Sequence, residues 1–162
     1  MQNKNTWPNY SKSEIQEVIH VIKSGNVNYV SGNIGKKFEK LFSNWTKRKY
    51  SVALANGTVA LELAIKSLML PMKSEIMVTA RSFFSSASAI VRAGHIPKFI
   101  DVNLTDQNIL VEDIEKKISV KTKAVICVHL SGNPCNMKKI LSISKKYKLK
   151  IIEDCAQSHG AK

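Results

Sequence analysis

Arginine is scarce in this chain. Among 25 basic residues only Arg48, Arg81 and Arg92 carry a guanidinium, and the lysines are spread over successive segments. A formal net charge of +13 therefore does not read as a nucleic-acid footprint. Arginine dominates specific contacts to bases and phosphates, and no nucleic-acid motif accompanies the charge. The lysines are thickest over Lys138, Lys139, Lys145, Lys146, Lys148 and Lys150; they read as a solvated surface with some attraction for polyanions or anionic substrates. Cysteine is also sparse. Cys127, Cys135 and Cys155 are odd in number and lack the spacing of a disulfide framework, which suits a reducing cytoplasm. No apolar run approaches the length of a membrane span, so no membrane association is expected. The start, MQNKNTWPNY, lacks the apolar core of a secretory signal. Neither G-x-G-x-x-G nor G-x-x-x-x-G-K-[ST] occurs, so neither a dinucleotide site nor an ATP-type site is supported. Internal repeats, low-complexity segments and an interdomain linker are missing as well.

What is present suits a globular domain. With 162 residues, 44% of them apolar, the chain has material for a real core and too much of it for disorder. Ser11-Lys12-Ser13-Glu14 offers a capping box, followed by Ile15, Val18, Ile19 and Ile22 at helical spacing, with Gly25 as the stop. Residues 26–35 read as a polar loop. A second helix then carries Phe38, Leu41, Phe42 and Trp45 on one face, an aromatic stripe that predicts burial in a core.

From Tyr50 onward the pattern alternates. Strands are predicted over Ser51–Ala55, Ile76–Thr79, Ile96–Val102, Ala124–Leu130 and residues 149–154, and helices over Val59–Leu68, Phe83–Val91, Val111–Ile118 and a segment marked by Met137, Ile140, Leu141 and Ser144. Strands alternating with helices imply βαβ units and a mostly parallel sheet. The last strand ends in Glu153 and Asp154, with Gln157, Ser158 and His159 in the turn beyond. Ligands of α/β proteins sit just past the carboxyl ends of such strands; alternatively, Asp154 caps the next element.

Two further stretches stand at strand-to-helix junctions. Asn56-Gly57-Thr58 puts a glycine and a hydroxyl at a helix start, where free N–H groups and the helix dipole favour an anion. A plain turn with an N-cap uses the same residues, and the triplet also fits a glycosylation acceptor, which a cytoplasmic protein would not use. Ser82-Phe83-Phe84-Ser85-Ser86 could lay one ring against a planar ligand, or place two phenylalanines in the core. Cys127, His129, Cys135, Cys155 and His159 match no common zinc spacing, so no metal is expected. A phosphate cradle, an aromatic plate and a carboxylate with an amide follow separate strands in order. A phosphorylated aromatic ring with a basic nitrogen uses all three, and pyridoxal 5′-phosphate is that molecule.

Six ordered blocks then make the chain resemble the DegT/DnrJ/EryC1/StrS family of sugar aminotransferases, within the fold-type I pyridoxal-phosphate enzymes. They are FEKLF at 38–42, NGTVALELAI at 56–65, RSFFSSASAI at 81–90, KFIDV at 98–102, TKAVICVHLSGNPCNM at 122–137 and IIEDCAQSHGA at 151–161. The resemblance implies that Gly57 and Thr58 bind the cofactor phosphate, Phe83 stacks on the pyridine, Asp154 partners its nitrogen and Gln157 neighbours the ring hydroxyl. His129 is given no role beyond packing near the site. Departures are Ser82 where the family favours Thr, Ser131 where it often has an aromatic residue, and Lys73-Ser74-Glu75 in place of Gly-Asp-Glu.

The implied fold is the three-layer α/β/α sandwich of the pyridoxal-phosphate transferase large domain, incomplete at its C-terminal end. Residues 1–35 are expected to form an N-terminal helix and loop, residues 36–162 part of the large domain, with the small C-terminal domain absent. The family's cofactor-bearing lysine falls beyond the last block, and Lys162 does not match its motif, so no catalytic residue is assigned. The resemblance thus implies the N-terminal part of a cytoplasmic, homodimeric enzyme that moves an amino group, from glutamate, to a keto group of a nucleotide-linked sugar. This chain itself is expected to be an inactive truncated form; a sugar dehydratase of the same family and a non-catalytic fragment are the alternatives.

Overall fold

Four short runs of apolar residues, each bounded by turns, build one sheet: β1 (Glu75–Thr79), β2 (Ile96–Ile100), β3 (Thr122–Val128) and β4 (Lys150–Asp154). The structure, a computed structural model, describes residues 8–161. The polar start, residues 1–10, lies partly, and Lys162 wholly, outside the described residues. All pairings are parallel, in the order β2-β1-β3-β4. The helices are α1 (Lys12–Ser24), α2 (Ile34–Thr46), α3 (Gly57–Ser67), α4 (Phe84–Arg92), α5 (Val111–Lys117) and α6 (Met137–Tyr147). Two compact units divide the chain, Met1–Ala53 and Leu54–Lys162. α1 and α2 lie in the first unit, α3 to α6 and the sheet in the second.

Alternation along the strands sorts side chains onto two faces. Ile76 and Val78 of β1 join Ala124, Ile126 and Val128 of β3 in a core closed by Leu61 and Ile65 of α3 and Ala89 and Ile90 of α4. Met77, Val125 and Cys127 point the other way, into a core with Val111 and Ile114 of α5 and Ile140 of α6. The result is the expected three-layer α/β/α sandwich. Crossover hand explains which helix lies where: α4 serves the step from β1 to β2, while α5 and α6 serve steps running across the sheet in the opposite direction. A single hand puts these on opposite faces.

Several expectations need correction. Residues 51–55 form no strand: they pair with none of the described strands, and Val52 and Leu54 stand 72% and 39% exposed. β3 ends at Val128, two residues early, because His129 turns the chain into a 3₁₀ segment, Leu130–Gly132. In the first unit the capping box forms as read: Ser11 Oγ accepts from Glu14 N–H at 3.2 Å, and Ser11 N–H donates to Glu14 Oε2 at 2.6 Å. Gly25, at φ 70°, ends α1. The aromatic stripe of α2, however, is not a buried core. Phe38, Leu41 and Trp45 are each more than half exposed, and neither helix buries a side chain. Two short helices cannot enclose an interior of their own. Their rings contact one another instead, Phe38 with Phe42 at 5.7 Å and Phe42 with Trp45 at 5.5 Å.

One polar cluster ties the amino ends of the strands. Glu75 Oε2 accepts from Lys98 Nζ at 2.8 Å, Ser119 Oγ at 2.6 Å and Thr122 Oγ1 at 2.9 Å. The Lys98 ammonium first, then the Ser119 hydroxyl, hold its carboxyl down from 4.5 to about 2. A carboxyl depressed on folding contributes stability that is complete above the unfolded value and is lost as pH falls toward the folded one. Glu75→Gln should therefore cost about 1–3 kcal/mol at neutral pH. The deficit should shrink between about pH 4.5 and about pH 2, where the unfolded wild type is protonated and the folded one still holds the charge. Urea unfolding of both chains across that range measures it; a deficit that does not change with pH overturns the ion-pair account.

Candidate active site

β1, β3 and β4 deliver Thr79, Val128 and Asp154 to one rim of the sheet. The topology makes that rim a crevice. From β1 the chain leaves toward β2, and from β3 it leaves the opposite way toward β4, so the strand order reverses between β1 and β3. Such a reversal is where open α/β sheets bind ligands. Two helices begin at the same rim. α4 follows β1 directly, and α3 runs back toward the amino end of β1, so its own start lies at the carboxyl edge.

Asp154 shares strand parity with Ile152, which packs into the α3/α4 core, so its carboxylate belongs to that face. The hydrogen bonds agree. Oδ1 accepts from Ala156 N–H at 3.1 Å, and Oδ2 accepts from Ser86 of α4 at 3.5 Å. The first of these is the local turn-capping bond anticipated as the alternative role. The second is not local. Asp154 is half-buried and keeps acceptor capacity for an outside partner.

Gly57 and Thr58 are the first two residues of α3. Asn56 caps the helix, its Oδ1 accepting from Val59 N–H at 3.0 Å, which leaves the N–H groups of Gly57 and Thr58 without acceptors in the helix ladder. A Cβ built on Gly57 meets nothing within 4 Å, so the missing side chain leaves an open cradle over those donors. Thr58 is half-buried. Phe83 caps the start of α4 and is 76% exposed, while Phe84 is 80% exposed. Neither ring lies in a core, which removes the bland reading of that pair. Gln157 is exposed, and its Oε1 accepts from Ser131 N–H at 2.7 Å; its amide NH₂ end is thereby turned into the donor left for another group.

Behind Asp154 sits a second cluster. His129 is 4% exposed, and its backbone N–H donates to Asp154 O at 3.1 Å. Its Nδ1 accepts from Cys135 N–H at 3.0 Å, and its Nε2 meets Glu153 Oε2 at 3.1 Å. An Nδ1 that accepts must leave the ring proton on Nε2, so Nε2 donates to Glu153. Ligand atoms of His129, Glu153 and Cys155 lie within 4.8 Å of one another, yet the nitrogen facing that group has no free lone pair. A metal-ligating histidine shows the reverse, its second nitrogen donating outward. Burial pushes the Cys135 thiol up to about 11 and raises Cys127 and Cys155 too, the last also through the nearby Glu153 charge. The cluster is a hydrogen-bonded clamp that ties the ends of β3 and β4.

Sequence reasoning missed Ser86 and the Glu153–His129 pair. The one available signal for Ser86 was the four-residue spacing of hydroxyls from Ser82. The Glu153–His129 pair links residues distant in sequence and had no local signal.

The model of the DegT/DnrJ/EryC1/StrS aminotransferase family matches residues 8–162. The chain belongs to this family. A dTDP-3-amino-3,6-dideoxy-alpha-D-galactopyranose transaminase of Aneurinibacillus thermoaerophilus is 38% identical over 152 residues, 94% of this chain and 41% of that protein. The crystal structure of an aminotransferase from Psychrobacter cryohalolentis superposes with a TM-score of 0.92 at 40% identity, covering 96% of this chain and 40% of that one. A GDP-4-keto-6-deoxymannose-3-dehydratase, solved with a trapped PLP-glutamate geminal diamine, superposes with a TM-score of 0.87 at 28% identity, covering 94% and 41%. Pyridoxal phosphate thus accompanies the family. The chain spans about 40% of the length of the relatives it matches.

Proposed function

We propose that this chain carries the cofactor-holding part of a pyridoxal-phosphate-dependent aminotransferase acting on a nucleotide-linked keto-sugar. The observation that carries the reading is the rim itself: a half-buried carboxylate, an open helix start and an exposed aromatic ring on one face of a parallel sheet. The N–H groups of Gly57 and Thr58, with the Thr58 hydroxyl, take the phosphate. The Phe83 ring lies against the pyridine, Asp154 holds a proton on the ring nitrogen, and the Gln157 NH₂ donates to the ring oxygen. The cofactor, when bound, supplies the electron sink for proton removal at the carbon bearing the amino group. Asp154 keeps that sink cationic, and Phe83 excludes water from one face of the ring.

The amino donor is glutamate and the acceptor a keto group on a nucleotide sugar, the class named by the transaminase relative. The reading carries with it a cytoplasmic homodimer, to which the apolar stripes left open on α1 and α2 are suited; sedimentation measures the assembly state. A dehydratase is the second reading, supported by the solved structure of that activity at 28% identity. The family lysine that separates the two falls, by the resemblance, beyond residue 162. The test titrates the chain with pyridoxal phosphate and follows absorbance, then supplies glutamate and a keto-sugar nucleotide to a version completed through the family lysine. 2-Oxoglutarate in step with amino-sugar supports transfer. A deoxygenated sugar without net amino transfer supports the dehydratase, and absence of saturable cofactor binding overturns both.

A further inference from the structure

Between Phe83 and Asp154 runs a short line of hydroxyls. Ser82 Oγ and Ser86 Oγ are 2.6 Å apart, and Ser86 Oγ lies 3.5 Å from Asp154 Oδ2. Proton counting fixes its direction. A carboxylate only accepts, and a serine has one hydroxyl proton. Ser86 therefore donates to Asp154, and Ser82 donates to Ser86. Ser86 is 1% exposed, so water does not compete for its hydroxyl, and its N–H is held by Phe83 O at 3.0 Å in the first turn of α4. Donation from Ser82 polarises the Ser86 hydroxyl and strengthens its bond to the carboxylate. At 3.5 Å that bond is long; it orients Oδ2 while leaving the charge available to a closer partner. Ala156 N–H holds Oδ1 at 3.1 Å, so both oxygens are steered.

We propose that Ser82 and Ser86 form a polarised hydroxyl chain that positions the Asp154 carboxylate for the cofactor's ring nitrogen. Ser86 is a positioning residue and Ser82 acts through it. The inference rests on the cofactor reading above and extends it, because Ser82 also immediately precedes the stacking residue Phe83. The segment that sets the ring plane thereby also aims the group that meets the ring nitrogen.

The test compares the affinity of wild type, Ser82→Ala, Ser86→Ala and the double variant for pyridoxal phosphate and for its 1-deaza analogue. In the analogue, carbon replaces the nitrogen that Asp154 would meet. Melting followed by circular dichroism confirms that each variant is folded. Ser86→Ala should weaken pyridoxal phosphate about threefold, the loss of a long hydrogen bond that orients the carboxylate, and leave the analogue unchanged. Ser82→Ala should lose less. The double variant should match Ser86→Ala alone, since Ser82 has nothing to polarise once the Ser86 hydroxyl is gone. Equal losses for both ligands would mean a merely structural role and overturn the proposal, as would additive losses or an indifferent Ser86→Ala. A wild type that binds pyridoxal phosphate not at all overturns the cofactor reading and this chain of hydroxyls together. A wild type that binds with Ser86→Ala indifferent overturns the hydroxyl chain alone.

Discussion

In a version of the chain completed through the family lysine, Asp154→Asn should leave pyridoxal phosphate bound and nearly abolish amino transfer. The substitution preserves shape, and Ala156 N–H, 3.1 Å from Oδ1, still finds a carbonyl oxygen. Ser86 can turn its hydroxyl proton toward Ser82 Oγ, 2.6 Å away, and accept from the new amide. Folding therefore survives. What is lost is the negative charge. Without it the ring nitrogen has no partner that favours its protonated form, and the electron sink weakens just where negative charge develops. Removing one such pre-set stabilising group costs on the order of 10²–10³-fold in turnover. Cofactor affinity should change far less, because the phosphate and ring contacts remain. Near-normal turnover by the variant, in protein that binds the cofactor, would overturn the assignment. Asp154→Glu is a weaker probe, since its extra methylene displaces the carboxylate without removing it.

The effect depends on a placement that was only half visible in the amino-acid sequence. Continuous apolar runs revealed β1, β3 and β4, because strands buried on both faces need no alternation to be recognised. Asn56, Gly57 and Thr58 announced a helix start by local chemistry, and Asn56 does cap α3. The face on which Asp154 emerges follows from parity with Ile152, yet parity settles a face only once the helices are placed. Ser86 reads in sequence as one more small residue on a helix, and its value comes from a strand 68 residues away. The same limit explains the failures. Phe38, Leu41 and Trp45 have the period of a buried stripe, but period reports an apolar face and not what covers it. Val52 and Leu54 alternate like a strand, but a strand exists only with a partner across the ladder. His129 looked like part of β3 because its neighbours are apolar, while its actual bonds run to Cys135 and Glu153.

The second large effect is expected at Gly57, where stability and binding should part company. As the first residue of α3, Gly57 has ordinary helical surroundings, and a Cβ added there meets nothing within 4 Å. Alanine is the better helix former by up to about 1 kcal/mol, so Gly57→Ala should fold at least as stably as wild type. The methyl group nevertheless enters the open space over the Gly57 and Thr58 N–H groups, where the phosphate would approach the backbone. Holding the phosphate off one charge-assisted hydrogen bond costs about 1.5–3 kcal/mol, or roughly ten- to a hundredfold in affinity. Pyridoxal, which lacks the phosphate, should bind wild type and variant alike. Gly57→Glu should be worse for pyridoxal phosphate, adding like-charge repulsion that eases as salt is raised. The measurement is a paired titration with pyridoxal phosphate and pyridoxal, beside thermal unfolding of each chain. Equal losses for the two ligands would place the phosphate elsewhere on the rim, and a destabilised Gly57→Ala would mean that the space over α3 is not open.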